Sequence, residues 1–245
     1  ILLSISSLPS PYGIGTLGRE AYNFVDLLGD LKQKYWQVLP VGPTIFGDSP
    51  YQPSSGCAGN IYFIDLDKLV DEGLLEKEEI LGYNWGTDES EIDYAALHQN
   101  RCKILQKAFE RFDTNAQEFQ DFVKKQSEWL EQYALFMTLK ADNLYKNWSE
   151  WPSEYRNPQT VALEKYQKKN YNTITFWKFC QYKFFEQWED LKNYANSKGV
   201  YIIGDISFYV GYDSVDVWAE RQLFMMSAND TPEYVAAAGP DKYSE

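Results

Sequence analysis

Histidine is almost missing from this sequence: its 245 residues contain one, His98. A metal held by paired imidazoles, or a serine–histidine site with a second base in reserve, is therefore close to excluded. Cysteine is scarce as well. Cys57, Cys102 and Cys180 are odd in number and widely spaced, which suits reduced thiols better than a disulfide framework. Positive charge is in deficit, with 23 Lys and Arg against 36 Asp and Glu and a net charge of −13. That balance argues against a nucleic acid held through its phosphates. It disfavours polyanionic ligands too, and leaves neutral ones open. No apolar run approaches the roughly 18–20 residues needed to span a bilayer, and no signal-peptide pattern opens the chain. A cytoplasmic protein with no membrane partner is the expectation. Hydrophobic residues at 44% and charged residues at 24% are ordinary globular usage, which excludes wholesale disorder.

Aromatic residues are what the sequence has in abundance: 8 Trp, 19 Tyr and 14 Phe, 17% of the chain. Tyrosine and tryptophan join a flat apolar face to a polar tip, the combination that stacks on a sugar ring. Large cores use aromatics too, so their positions must decide.

Residues 1–5 form a short apolar run that stops at Leu8-Pro9-Ser10-Pro11-Tyr12-Gly13, a dense turn signal. A helix is expected from Thr16, with Ala21, Phe24, Val25, Leu28 and Leu31 on one face. Residues 35–41 read as a buried strand. Strand, helix, strand is a βαβ unit and implies a parallel sheet. Residues 42–60 have no helical period and are rich in Gly, Pro and Ser; a loop this long inside a compact domain is usually functional. Residues 61–66 read as a strand or as part of an excursion. From 69 to 196 the pattern is largely helical, with breaks near 82–87, 114 and 151–158. Gly199 has the place of a helix C-terminal glycine, and residues 200–206 read as a third buried strand. A loop at 207–213 and a short amphipathic stretch at 214–223 follow.

The pattern implies an α/β fold, part of a (β/α)8 TIM-type barrel. Its first three strands lie in residues 1–66 and 197–245, and a helical subdomain (67–196) is inserted between the second and third. A full barrel needs eight strands and about 250 residues without insertions, so a piece of a longer enzyme is expected. Active sites of such barrels are built from the loops after the strands, here 8–15, 42–60 and 207–213.

Those loops carry a resemblance. Ser6-Ser7-Leu8-Pro9-Ser10-Pro11-Tyr12-Gly13-Ile14-Gly15, Tyr35-Trp36-Gln37-Val38-Leu39-Pro40 and Gly47-Asp48-Ser49-Pro50-Tyr51-Gln52 resemble the amylomaltase family of 4-α-glucanotransferases. Ala58-Gly59-Asn60, Phe63-Ile64-Asp65-Leu66, Tyr133-Ala134-Leu135-Phe136, Ile202-Ile203-Gly204-Asp205-Ile206 and Asp213-Ser214 with Asp216-Val217-Trp218 continue it in order along the chain. The resemblance implies transfer of α-1,4-linked glucan segments between maltooligosaccharides by a retaining double displacement, with one carboxylate as nucleophile and another as acid and base. It implies no cofactor and no metal. It places the nucleophile Asp, the acid/base Glu and a stabilising Asp after later strands, beyond residue 245, so no catalytic residue is expected in this chain. Arg111-Phe112-Asp113 imitates the family's Arg-x-Asp nucleophile motif, but it ends a helical stripe with no strand before it.

What the chain is expected to contribute is glucan contact. The resemblance assigns that role to Asp48, Ser49, Tyr51, Gln52, Asp213 and Tyr243. Competing readings stand beside several of these. Gly47-Asp48-Ser49-Pro50 could be merely a turn, with Asp48 bonded to its own backbone. Asp213 or Ser214 could be the N-cap of the following helix. Asp205 is equally a structural group or a ligand contact. Trp148 and Trp151 make either a sugar platform or packing, and His98 falls near a second glucan site of relatives or is plain surface. Lys242 and Phe46 stand where the family usually carries aromatic and tyrosine residues. Two rival functions remain: a non-catalytic glucan-binding module, and part of an amylase-type hydrolase.

Overall fold

Trp36 shows how the strands are assembled. Its ring is fully buried and its indole Nε1 donates to the Leu3 carbonyl at 2.8 Å. It sits in β1 (Tyr35–Gln37), which pairs in parallel with β2 (Tyr201–Ile203) in the register Tyr35–Tyr201, Trp36–Ile202, Gln37–Ile203. On the other side of β1, Leu2 forms a parallel bridge to Gln37, with Leu3 N donating to Gln37 O at 3.0 Å. These statements come from a computed structural model that describes residues 1–45, 47–88, 90–158 and 160–235.

All three expected strands are shorter than their apolar runs. The first is reduced to the Leu2 bridge, because the chain turns at once into a 3₁₀ helix, Ile5–Ser7. Gly15 closes that turn by donating to Ser6 O at 3.1 Å. A Cβ on Gly15 would lie 1.9 Å from the Ile5 carbonyl, so only glycine permits the approach. The second run continues one bond past its strand, Val38 N to Ile203 O, and then meets Pro40, which has no N–H to offer. The third, β2, has no strand on its outer edge among the described residues, and Tyr201 and Ile203 are exposed.

Helix α1 (Arg19–Asp30) buries Ala21, Val25 and Leu28 of the expected face and sets Phe24 edge-on to Trp36 at 5.0 Å, but Leu31 is exposed because the helix ends before it. Residues 61–66 are not a strand. They form a 3₁₀ helix (Ile61–Phe63) capped by Asn60, and then the start of α2 (Leu66–Asp71), whose N-cap is Asp65. The Asp65 carboxylate accepts from Lys68 N at 3.0 Å and from Thr16 Oγ1 at 2.6 Å. Capping groups therefore decide this stretch against its β-branched and aromatic composition.

Between β1 and β2 the chain is helical: α3 (Lys77–Leu81), α4 (Tyr94–Arg111), α5 (Gln117–Lys125), α6 (Ser127–Asp142), α7 (Ser153–Arg156), α8 (Val161–Lys169) and α9 (Tyr171–Ser197). The expected break at 151–158 contains the one-turn α7. Helix α9 is the central post, with α6 packed along it. Phe109 and Phe112 of α4 meet Phe179 of α9 with centroids 5.5 and 4.8 Å apart. Lys198 caps α9, and Gly199 follows at φ +75°, turning the chain into β2 as expected. After β2 a loop leads to α10 (Val215–Ala219). Buried side chains from Ile5 to Trp218 make one continuous hydrophobic cluster. Among the described residues no helix is long and apolar enough to cross a membrane.

Candidate functional site

The loops after β1 and β2 are laced together. Tyr51 Oη donates to Asp205 Oδ2 at 2.8 Å, and Ser207 Oγ donates to Pro50 O at 3.0 Å. Gly211 N donates to Pro53 O at 3.2 Å, Val215 N to Ser54 O at 2.9 Å, and Gly56 N to Asp216 Oδ2 at 3.0 Å. The first loop is also tied to α9. The buried Gln181 side chain accepts from Gly59 N at 2.7 Å and donates to Gly59 O at 3.0 Å. Gln187 does the same for the Asp65 peptide groups, at 2.7 and 3.2 Å.

Beside this seam lies a cleft of about 480 Å³. Thr44, Ile45, Gly47 and Asp48 line it from the first loop, and Asp213 from the second. Tyr94, His98 and Cys102 come from α4, Tyr133, Met137 and Lys140 from α6, with Tyr62, Tyr145 and Trp177 completing the wall. Burial raises the Tyr145 hydroxyl to about 12 and pushes Tyr62 and Tyr133 further up. The phenols therefore stay protonated at neutral pH and can donate. Burial likewise raises Cys102 to about 11, which makes it a neutral thiol rather than a nucleophile. Apolar ring faces with neutral donors and few charges suit a neutral polyhydroxylated ligand.

The structure brings Asp48 and Asp213 into this one cleft, whereas Ser49, Tyr51 and Gln52 are not among its lining residues. Asp48 follows Gly47 (φ +89°) in a left-handed turn at φ +53°, and its N donates to Ile45 O at 2.9 Å. Burial raises its carboxyl above the usual aspartate value, and the charge of His98 works against that rise. Ser49 Oγ accepts from Tyr51 N at 3.3 Å and Ser49 O from Gln52 N at 3.2 Å, so both residues shape the turn. Tyr51 is exposed, and its hydroxyl is engaged with Asp205. Asp213 accepts from Lys140 Nζ at 2.5 Å and from Trp148 N at 3.1 Å. The helix cap is Ser214, whose side chain accepts from Val217 N. Tyr243, Lys242 and Phe46 lie outside the described residues.

Some alternatives are settled. Trp148 and Trp151 are buried, and their indole N–H groups donate to Tyr212 O and Lys146 O, so they pack and offer no sugar platform. His98 is exposed at the cleft, edge-on to Tyr145 at 4.7 Å. Arg111 pairs with Glu79 at 2.7 Å and Asp113 bonds to Asn115 N, so the Arg-x-Asp imitation is a helix end. Sequence reasoning missed Lys140, Tyr145, Gln181 and Gln187. A lysine and two glutamines inside apolar helical stripes were the available signal, since such residues are buried only with partners. Among the described residues no three His, Cys, Asp or Glu side chains converge as a metal site.

Comparison with known proteins gives consistent findings. A family model described as 4-alpha-glucanotransferase matches residues 3–245. A 4-alpha-glucanotransferase of Clostridium butyricum is 42% identical over 245 residues, covering 99% of this chain and 50% of that protein. One from Streptococcus pneumoniae is 44% identical over 249 residues, covering 100% and 49%. The solved structure of an amylomaltase from Streptococcus agalactiae in complex with acarbose superposes with a TM-score of 0.93 at 39% identity, covering 100% of this chain and 50% of that one. The chain thus spans about half the length of the curated relatives it matches.

Proposed function

The chain belongs to the 4-alpha-glucanotransferase family, and from that premise we propose that it is the N-terminal part of a retaining enzyme that transfers α-1,4-glucan segments between maltooligosaccharides. In this reading one carboxylate attacks the anomeric carbon and forms a glycosyl intermediate. A second protonates the leaving oxygen and then deprotonates the incoming sugar hydroxyl. These carboxylates lie outside residues 1–245. The described chain supplies glucan contacts, from Asp48 and Asp213 at the cleft and from Ser49, Tyr51 and Gln52 at the seam, with Tyr243 as a further contact. Residues 1–66 and 197–245 belong to the barrel, and 67–196 are its helical insertion. The protein works in the cytoplasm without a cofactor.

One observation carries the reading. The loops after two parallel strands are hydrogen-bonded into a single rim beside an aromatic, phenol-lined cleft. Support for a larger barrel comes from β2, which among the described residues pairs only with β1, and from the exposure of Tyr201 and Ile203 within it and of Ile206 and Phe208 after it. An unpaired strand edge flanked by apolar side chains calls for a neighbour, and the missing barrel half is the neighbour this reading supplies. The test is to incubate the full-length protein with maltotriose and resolve the products by length. Transfer yields longer oligosaccharides together with shorter ones, whereas hydrolysis alone yields only shorter ones and would overturn the proposal.

A further inference from the structure

Lys140 does something the glucan contacts themselves do not. It sits in the last turn of α6, with its side chain 10% exposed. Its ammonium has three N–H groups, and the structure gives it three acceptors: Asp213 Oδ2 at 2.5 Å, Tyr145 O at 3.0 Å and Lys146 O at 2.8 Å. The carbonyls belong to the turn that leaves α6, where Leu144 and Tyr145 both stand in the left-handed region, at φ +55° and +57°. That conformation costs a non-glycine residue energy, so surrounding bonds must hold it. The cation also lies beyond a helix C-terminus, where positive charge is favoured.

Two of these partners, Asp213 and Tyr145, line the cleft. Asp213 is the cleft residue of the loop after β2, and its second oxygen accepts from Trp148 N at 3.1 Å. Trp148 Nε1 in turn holds Tyr212 O at 2.8 Å. Tyr145 lines the same cleft and packs against His98. Both carboxylate oxygens of Asp213 are thus already engaged, and these two bonds come from α6 and the segment after it rather than from its own loop.

Taking the glucan-binding reading above as its basis, we infer that Lys140 is a positioning residue. Its ammonium fixes Asp213 and the Tyr145 turn relative to each other, and so holds the part of the cleft lining that they form against the sugar chain. Lysine suits this task because three acceptors converge on one point, which a compact ammonium satisfies and the planar fork of arginine does not.

The test uses the full-length protein with maltotriose as donor and acceptor. Variants are Lys140→Met, Asp213→Asn and the double substitution. Wild-type protein must form longer oligosaccharides; if it does not, the functional reading has failed and this inference falls with it. Given transfer, K140M is expected to raise KM about tenfold while kcat falls less than about threefold. D213N shifts KM in the same direction, and the double variant is no worse than K140M alone, because the two substitutions remove one shared contact. An unchanged KM in folded K140M overturns the inference. So does a parallel loss of KM, kcat and melting temperature, which is the signature of a merely structural residue. Should K140M not fold, Lys140→Arg decides, since it keeps the charge but replaces the compact ammonium by a planar fork. A raised KM at unaltered melting temperature then supports the inference, and an unchanged KM refutes it.

Discussion

Replacing Gln181 by leucine tests how the first loop is held. Leucine fills much of the same space but offers no polar atom, so the buried Gly59 N–H and C=O both lose their partner. Water has little room to replace it: a Cβ on Gly59 would fall 1.9 Å from the Phe184 ring, so the loop backbone lies flush against α9. Each buried peptide group left unsatisfied costs about 1–3 kcal/mol, which puts the loss at about 2–6 kcal/mol. The most local readout is amide exchange, followed by mass spectrometry on peptides that contain Gly59. Even about 2 kcal/mol of lost protection accelerates exchange roughly 30-fold. Gln117→Leu is the control, because Gln117 is exposed and bonds only Asp121; surface changes of that kind stay within about 0.5 kcal/mol. If Q181L exchanges around Gly59 no faster than Q117L, the tether does not hold the loop and the reasoning is wrong.

Other predictions concern the rim and the acid limb of stability. Tyr51→Phe removes one exposed hydrogen bond to Asp205, so stability should fall by less than about 1 kcal/mol. The KM of the full-length enzyme for maltotriose should nevertheless rise about fivefold, because Asp205 and both loop tips lose their orientation; steady-state kinetics showing an unchanged KM would contradict this. Glu79 is held down from 4.5 to about 2, first by its hydrogen bonds to Arg111 and then by the Glu76 backbone N–H. Its folded pKa is depressed, so its stabilising contribution is complete above about 4.5 and is lost as the pH falls towards 2. Urea midpoints measured across that window should decline less steeply in Arg111→Met than in the wild type. Parallel slopes would show that the pair contributes nothing.

How far the sequence speaks depends on what each residue needs from its neighbours. Helix α1, the Gly199 terminus and the run of helices before β2 were legible because apolar period and glycine chemistry are local properties. Strand lengths were not: Trp36 lies in a run of seven apolar-leaning positions, yet only Tyr35–Gln37 form the ladder with β2. Ladder length depends on which distant backbone is adjacent. Residues 61–66 stayed open between strand and excursion because composition favoured the one, and the caps on Asn60 and Asp65, which outweigh strand propensity, decided for the other. At the site, Asp48 and Asp213 could be named from motif position, and the cleft does unite them. Their electrostatic company could not be foreseen, because Lys140 lies 73 positions before Asp213. The Tyr51–Asp205 bond, across 154 positions, was beyond reach for the same reason.

The central claim is that these residues bind and present glucan while the chemistry is done elsewhere in a longer chain. Its most direct test compares the 245-residue chain with the full-length protein, each given maltotriose under the same conditions, with products resolved by length. The account predicts a ladder of oligosaccharides longer than maltotriose from the full-length protein and none from the 245-residue chain. A ladder from the 245-residue chain alone would place working carboxylates within it and contradict the account.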